Sequence, residues 1–596
     1  MAQAIEDHGI VGDLRTAALI DLNGTIDFLC WPQFDSPSLF ASLLDETHGG
    51  SFQLAPVLDG ARHRQLYLPD TNILLTRFLS EHGVAAISDF MPLGGAETTP
   101  RLVRRVKAIR KTIRFRMQCA PRFDYARARH ETRADGDGIV FTGADGLSLR
   151  LRSSVEMRIE DGAAVAEFDL DPGQSAHFIL EDGECGADSA AAQPDYVVNA
   201  FKATSTYWHD WVARSTYHGR WRDVVSRSSL ALKLLTSAEH GSMIAALTFG
   251  LPEEIEGSRN WDYRYAWLRD SAFMVYAFLR LGHTHEANGF ARWLAKIAIG
   301  GDEKPLHIMY ALDGRTDLAE LELGHLAGYR GSAPVRIGNA AHEQRQLDIY
   351  GELMDAMYLS DKYAEQITWA AWQGIVGRLA WLTENWHLPD AGIWEIRGER
   401  REFLHSRLMC WVAFDRAIRL ARKRGLPGPL VEWATTRDAI YAEIHSDFWN
   451  EDLQSFVQSK GCSEVDASCL LMPLVRFISP TDPRWRSTLK RVGERLLDDS
   501  LVHRYTTGDG LEGSEGTFSM CSFWYVECLA RAGDLKQARF LFEKMVGYSN
   551  HLGLFAEELG RSGEHLGNFP QAFTHLSLIS AAYYLDQALT RAEGHR

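Results

Sequence analysis

Residues 403–422, FLHSRLMCWVAFDRAIRLAR, set an apolar stripe among good helix formers and predict a long amphipathic helix. Working outward, Trp267–Leu281 and Phe518–Ala532 repeat the pattern. From about residue 202 onward a 3.6-residue period recurs, placing helices near 230, 275, 292, 354, 375, 412, 440, 471, 491, 525, 540 and 580. A closed ring of six helix pairs would bury a face of every helix and gather alternate connections at one end. An open solenoid is the structural alternative.

Before that point the period is two. Leu147, Leu149, Leu151, Ser153, Val155, Met157 and Ile159 alternate with mostly polar residues, as do Ile113, Phe115 and Met117. Asn23-Gly24, Asp135–Gly138 and Asp171-Pro172-Gly173 supply turn chemistry. The expected organisation is therefore an antiparallel β-sandwich over 1–201, a linker helix over 202–218 (TSTYWHDWVARS within it) and the helical ring over 219–596.

Composition narrows the function. The chain has 596 residues, 45% of them apolar and 24% charged, and a formal charge of −16. Acidity without a basic run argues against nucleic acid or an anionic membrane as partner. No run of 18 apolar residues occurs, and Glu6, Asp7 and Asp13 stand where a secretory signal needs a positive start. The eight cysteines form no CxxC pair and read as reduced thiols. A cytoplasmic enzyme is expected, with a periplasmic location and self-association into a homo-oligomer also compatible.

The weakly periodic segments 251–267, 299–347, 388–400, 499–517 and 549–569 are rich in aromatic and ionisable groups, and in a ring they could meet at one mouth. PDAGIWEIRGERR (389–401) places Glu395 beside Trp394, and EELGRSGEHLGNFPQAFTH (557–575) places Glu564 in a polar setting. Two carboxyl groups across a sugar linkage can divide acid and base work, and apolar enclosure by Trp394 would favour the acid role for Glu395. RNWDYRYAWLRDSAF (259–273) adds Trp261 and Trp267 to cover a sugar face, and Arg269 with Asp270 to bond its hydroxyls. These residues equally suit structural work, the indoles as core and Arg269–Asp270 as an ion pair. Tyr329, Arg336, Asn339, His342 and Asp348 form a dense polar set, as do Arg504, Asp509, Glu512 and Glu515; Arg397 follows Glu395 closely. Glu515 competes for a carboxylate role, although a helix-start cap explains it too. No metal site is expected.

With these blocks in order, the chain resembles glycoside hydrolase family 15, the glucoamylase family, and within it the bacterial and archaeal trehalase-like branch. The resemblance runs through residues 5–45, 259–271, 328–352, 392–418, 515–524 and 553–578. It implies a β-sandwich followed by an (α/α)6 barrel, and exo-acting, inverting hydrolysis of α-glucosidic bonds, with α,α-trehalose as expected substrate and malto- or isomalto-oligosaccharides as the alternative. It also implies Glu395 as general acid, Glu564 as general base, and Arg269 and Asp270 as holders of the terminal glucose. Trp261, Trp267, Tyr329, Arg336, His342, Trp394, Arg397 and Glu515 are the other expected sugar-binding residues. The resemblance requires no cofactor, although some relatives of that branch respond to phosphate or Mg2+. Ile396 stands where the fungal branch has a second glutamate.

Overall fold

The structure is a computed structural model in which residues 2–95, 99–136, 138–186, 188–299 and 305–594 are described. Asp137 of the expected Asp135–Gly138 turn, and 300–304 of the 299–347 segment, lie outside the described residues.

Two antiparallel eight-stranded sheets occupy the N-terminal part. Strand Ile113–Ala120 turns Ile113, Phe115, Met117 and Cys119 into the core and leaves Arg114 and Arg116 exposed, as its alternation requires. It pairs with Ser51–Pro56 and with Ala163–Leu170. Arg104 ties the sheets together: buried beside Asp89 at 2.8 Å, it donates to the Gly24 carbonyl at 2.7 Å and to the Phe52 carbonyl on the facing sheet. The expected run from Leu147 to Ile159 is not one strand. It breaks after Ser153, and Ile159 emerges in a short exposed strand on the other sheet. Within it Arg150 and Arg152 are buried despite their polarity, because Asp135 and Glu181 pair with them.

The connecting helix spans Tyr196–Val212, beginning earlier than residue 202. It starts after Pro194 and Asp195, and Tyr196, Val197, Ala200, Thr204, Trp208 and Trp211 supply its buried stripe.

Twelve helices follow among the described residues. The outer ones are Arg222–Leu234, Thr284–Ile299, Trp369–Asn385, Leu430–Asp447, Pro483–Arg495 and Leu535–Val546. The inner ones are Ser271–Leu281, Asp348–Tyr363, Leu404–Arg424, Leu471–Leu474, Ser519–Ala532 and Ala572–Ala592. The inner helices pack in succession, Leu404–Arg424 meeting the 3-10 turn Ala467–Leu470 that leads into the short Leu471–Leu474 helix, and the last returns to the first, closing an (α/α)6 barrel. The Leu404–Arg424 and Ser519–Ala532 helices are buried nearly all round because the outer ring covers them.

The sandwich braces the barrel loops. Arg264 donates to the Ser36 carbonyl at 2.7 Å, in the loop at 30–37, and to the Tyr125 hydroxyl at 3.0 Å. Asn550 donates to the carbonyls of Glu6 and His8. The sandwich thus supports from behind the segments that form the barrel mouth. No described helix is long and apolar enough to cross a membrane, and all eight cysteines are free thiols.

Candidate active site

The inner helices start at one end of the barrel, and the segments preceding them converge there on a cavity. Its lining includes Glu253, Trp261, Tyr263, Arg269, Asn339, Trp394, Glu395, Arg397, Arg504, Tyr505 and Asp509. The space is narrow, about 40 Å³, room for water rather than for a sugar ring.

Glu395 sits in the turn before the Leu404–Arg424 helix with φ at +57°. A left-handed backbone on a residue with a Cβ costs about 1–3 kcal/mol and persists only where the surroundings impose it. Here Gln344 donates to the carbonyls of Glu395 and Ile396, while the N–H groups of Arg397 and Gly398 donate to the Asp509 carbonyl. The Glu395 side chain accepts at Oε1 from Trp267 Nε1 at 2.7 Å and from Arg269 Nη1 at 2.9 Å. Arg269 also donates to the Ile393 carbonyl and to Asp270, so it is clamped on both sides. Burial pushes Asp270 up to about 6, against the pull of Arg269.

Trp394 is pinned through Nε1 to Asp466 at 2.8 Å and packs edge-on against Phe518. Trp261 donates to Glu253 at 3.1 Å and is covered by the guanidinium groups of Arg397 at 4.3 Å and Arg336 at 5.1 Å. Both arginines pair with Glu320, at 2.9 and 3.4 Å. Trp261 is thus an indole with one face already occupied by cations.

Other expected residues stand farther out. Tyr329 is buried, but its hydroxyl donates to the Gln3 carbonyl, so it joins the two domains. His342 folds onto the Asn339 carbonyl at 2.8 Å; Asn339, not His342, lines the cavity. Glu515 lies behind the lining, paired with Arg504 and with Arg259 at 3.2 Å.

Glu564 does not reach this cavity. It lies on the hairpin turn between strands Glu558–Leu559 and His565–Leu566, where its Oε2 accepts the Ser562 N–H at 2.9 Å. Its carboxyl group folds against Gly560, where a Cβ would lie 2.3 Å from it. The expectation placed it opposite Glu395; the Gly560–Gly563 segment is instead turn chemistry, and Glu564 satisfies that turn.

The buried carboxylates are at the base of the same hairpin. Glu557 is fully buried; its Oε2 accepts the Asn568 N–H at 3.1 Å, and its Oε1 is buried without a hydrogen-bond partner among the described residues. Burial raises its affinity for a proton, opposed by the Tyr263 phenol, Arg504, the Asn568 N–H and Arg269. Tyr263 is itself buried in the combined field of Glu557, Glu253 and Glu395. Glu558 accepts the Gly516 N–H at 2.7 Å and lies 3.5 Å from Arg504.

Glu253, Glu515 and Glu558 hold carboxylate oxygens within 4.8 Å of one another, a spacing that could hold a cation. The Arg504 guanidinium takes that place, contacting all three, and Arg259 reinforces it at Glu253 and Glu515.

Glu557, Glu253 and Tyr263 were not singled out from the sequence. The available signal was adjacent acids after the apolar run Leu554-Phe555-Ala556, since a carboxylate among buried apolar residues is costly without a task.

Comparison with known proteins completes the picture. Residues 219–583 match the profile of Glycosyl hydrolases family 15, and residues 1–208 match Trehalase-like, N-terminal. The chain is 37% identical to a trehalase of Mycolicibacterium smegmatis, over 99% of this chain and 92% of that one. It is 35% identical to a trehalase of Thermoplasma volcanium, over 98% and 94%. In fold it is similar to a bacterial glucoamylase complexed with acarbose, with a TM-score of 0.76 at 14% identity, over 99% of this chain and 96% of that one. The sandwich, the barrel and the carboxylate-lined mouth together define a glycoside hydrolase. More particularly, the chain belongs to glycosyl hydrolases family 15.

Proposed function

We propose that this protein is an exo-acting, inverting α-glucosidase whose substrate is α,α-trehalose, with Glu395 as general acid and Glu557, in place of Glu564, as general base. The observation that carries the reading is that Glu395 lines the cavity with one carboxylate oxygen held by Trp267 and Arg269, while Glu557, buried before a different inner helix, keeps one oxygen without a hydrogen-bond partner among the described residues.

Oε1 of Glu395 is occupied by Trp267 and Arg269, leaving Oε2 to carry the proton delivered to the glycosidic oxygen. Oε1 of Glu557 is the unpartnered oxygen that would take a proton from the attacking water. Arg269 and Arg504 keep that carboxylate partly compensated, so burial does not simply neutralise it. Attack from the face opposite the leaving group inverts the anomeric centre, and such a pair works at a separation of roughly 6.5–9.5 Å. These roles ask for no metal or organic cofactor.

Trehalose as substrate is supported by the names of the relatives aligned over nearly the whole chain. The decisive measurement is proton NMR of fresh trehalose hydrolysate. Inversion at one anomeric carbon releases α- and β-glucose in equal amounts before mutarotation. Release of α-glucose alone would reject inversion, and hydrolysis of maltose or isomaltose with negligible trehalose turnover would reject the substrate.

A further inference from the structure

Toward the opposite end of the barrel, the inner helices surround a second cavity of about 670 Å³, lined mainly by their C-terminal parts. A volume of this size suits a small organic molecule. All six inner helices or the turns just after them contribute to it. It lies away from the carboxylates of the mouth and has a different character.

Its charge is unbalanced. Arg280, Lys362, Arg416, Arg419, Arg476 and Arg531 line it against Glu352, Asp355 and Glu527, in a protein whose overall charge is −16. Three of the cations are paired: Arg416 with Asp355 at 2.6 Å, Arg419 with Asp415 at 2.7 Å and Arg531 with Glu527 at 2.5 Å. Burial holds Glu352 toward its neutral form, which removes one balancing charge.

Arg280 is the unusual member. Its Nη1 is buried without a hydrogen-bond partner, and it has no ion pair with any described carboxylate. The guanidinium is instead held between aromatic rings, 3.6 Å from the Tyr276 centroid and 4.5 Å from that of Tyr583. A guanidinium in the cavity wall with no carboxylate partner and a shielded, unbonded N–H is costly, and an anion in the cavity would compensate its charge. Lys362 and Arg476, both exposed at this cavity, add charge without a described ion pair of their own.

We propose that this axial cavity binds a phosphorylated ring compound, with its phosphate on Arg280 and its ring against the surrounding tyrosines. A dianion matches the surplus of cations better than a carboxylate does, and the aromatic wall, with Tyr358 and Tyr584 added, favours a flat or cyclic body. A neutral disaccharide would leave the cations uncompensated. Sugar phosphates and nucleoside monophosphates share the required chemistry.

The test is isothermal titration calorimetry of the full chain with glucose 6-phosphate, adenosine 5′-monophosphate and inorganic phosphate as separate probes. Binding of at least one ring phosphate is expected, weakened at least about tenfold by Arg280→Met. Should R280M fail to fold, as judged by its melting curve, the exposed pair K362M/R476E carries the test and should weaken binding several-fold. Undetectable binding of both ring phosphates at millimolar concentration would overturn the proposal, as would binding unaffected by these substitutions. Inorganic phosphate binding as tightly as either ring compound would overturn the ring-bearing class.

Discussion

Glu557 and Glu564 flank one short hairpin and face different worlds: Glu557 is buried with its Oε2 on the Asn568 N–H, while Glu564 folds onto the turn with its Oε2 on the Ser562 N–H. The first hairpin strand, Glu558–Leu559, is hydrogen-bonded to Thr517–Phe518 on its other side, so the base of the hairpin is locked into the mouth and its tip is left to the surface. One carboxylate is therefore dried and surrounded by Tyr263, Arg269 and Arg504, and the other serves its own backbone.

This division predicts contrasting variants. E395Q and E557Q should remain folded and each lose about 10²–10⁴-fold in kcat, the usual scale of acid–base participation. E564Q should stay within about twofold of the parent, as surface changes generally do. Steady-state kinetics on purified proteins decides it: a loss in E564Q matching that of E557Q would restore Glu564 as base.

Arg504 is predicted to be the electrostatic keystone of the mouth. It contacts Glu253, Glu515 and Glu558, two of them fully buried, and lies over Phe518 at 4.9 Å. R504M should destabilise the protein by roughly 3–5 kcal/mol, the cost of leaving buried charges unpaired. Burial pushes Glu253 up to about 8 and Glu558 well above its usual range even beside Arg504, so the uncompensated charge, and with it the defect, should grow as pH rises from 7 to 9. Thermal melting at pH 7 and pH 9 measures this; a constant deficit would show that packing, not charge, is what Arg504 supplies.

The helical half was legible because each barrel helix must bury a stripe, and that stripe repeats at 3.6 residues even where boundaries blur. The stretch around Leu147–Ile159 misled because Arg150 and Arg152 are buried by ion pairs with Asp135 and Glu181, partners that only the folded sheet supplies. At the site, Trp394-Glu395 stood out as an acid beside an indole before a helix. Glu557 did not, because a buried acid and a surface acid look alike until their neighbours are known. Gly560-Arg561-Ser562-Gly563 does carry a turn signal, and read that way it assigns Glu564 to the turn.

Arg397 is expected to act on binding more than on turnover. It is 28% exposed in its side chain, bonded to Glu320 at 2.9 Å and stacked over Trp261 at the cavity rim. Loss of a charge-assisted contact to a sugar hydroxyl is worth about 1.5–3 kcal/mol. R397A should accordingly raise KM by at least about tenfold, with a smaller change in kcat. The reverse split would place Arg397 in the chemical step.

Acid stability offers a separate test of the core. His575, on the last inner helix, is fully buried, accepts the Phe555 N–H at Nε2 and meets Ser228 through Nδ1; burial pushes its pKa down to about 3. A depressed value means that the folded state resists the proton. Its contribution is therefore complete above the unfolded value near 6.5 and is lost as pH falls toward 3. At pH 5 that amounts to up to about 2 kcal/mol, from 1.36 kcal/mol per pH unit. Asp270 and Asp348, raised by burial to about 6 and about 7, act in the opposite sense, so the whole-protein profile mixes both signs. H575Q isolates the histidine part, since the glutamine oxygen can still accept from Phe555 but cannot titrate. Denaturant midpoints of parent and H575Q should therefore draw together, or cross, between pH 7 and pH 5; parallel profiles would mean that His575 keeps its proton balance unchanged on folding.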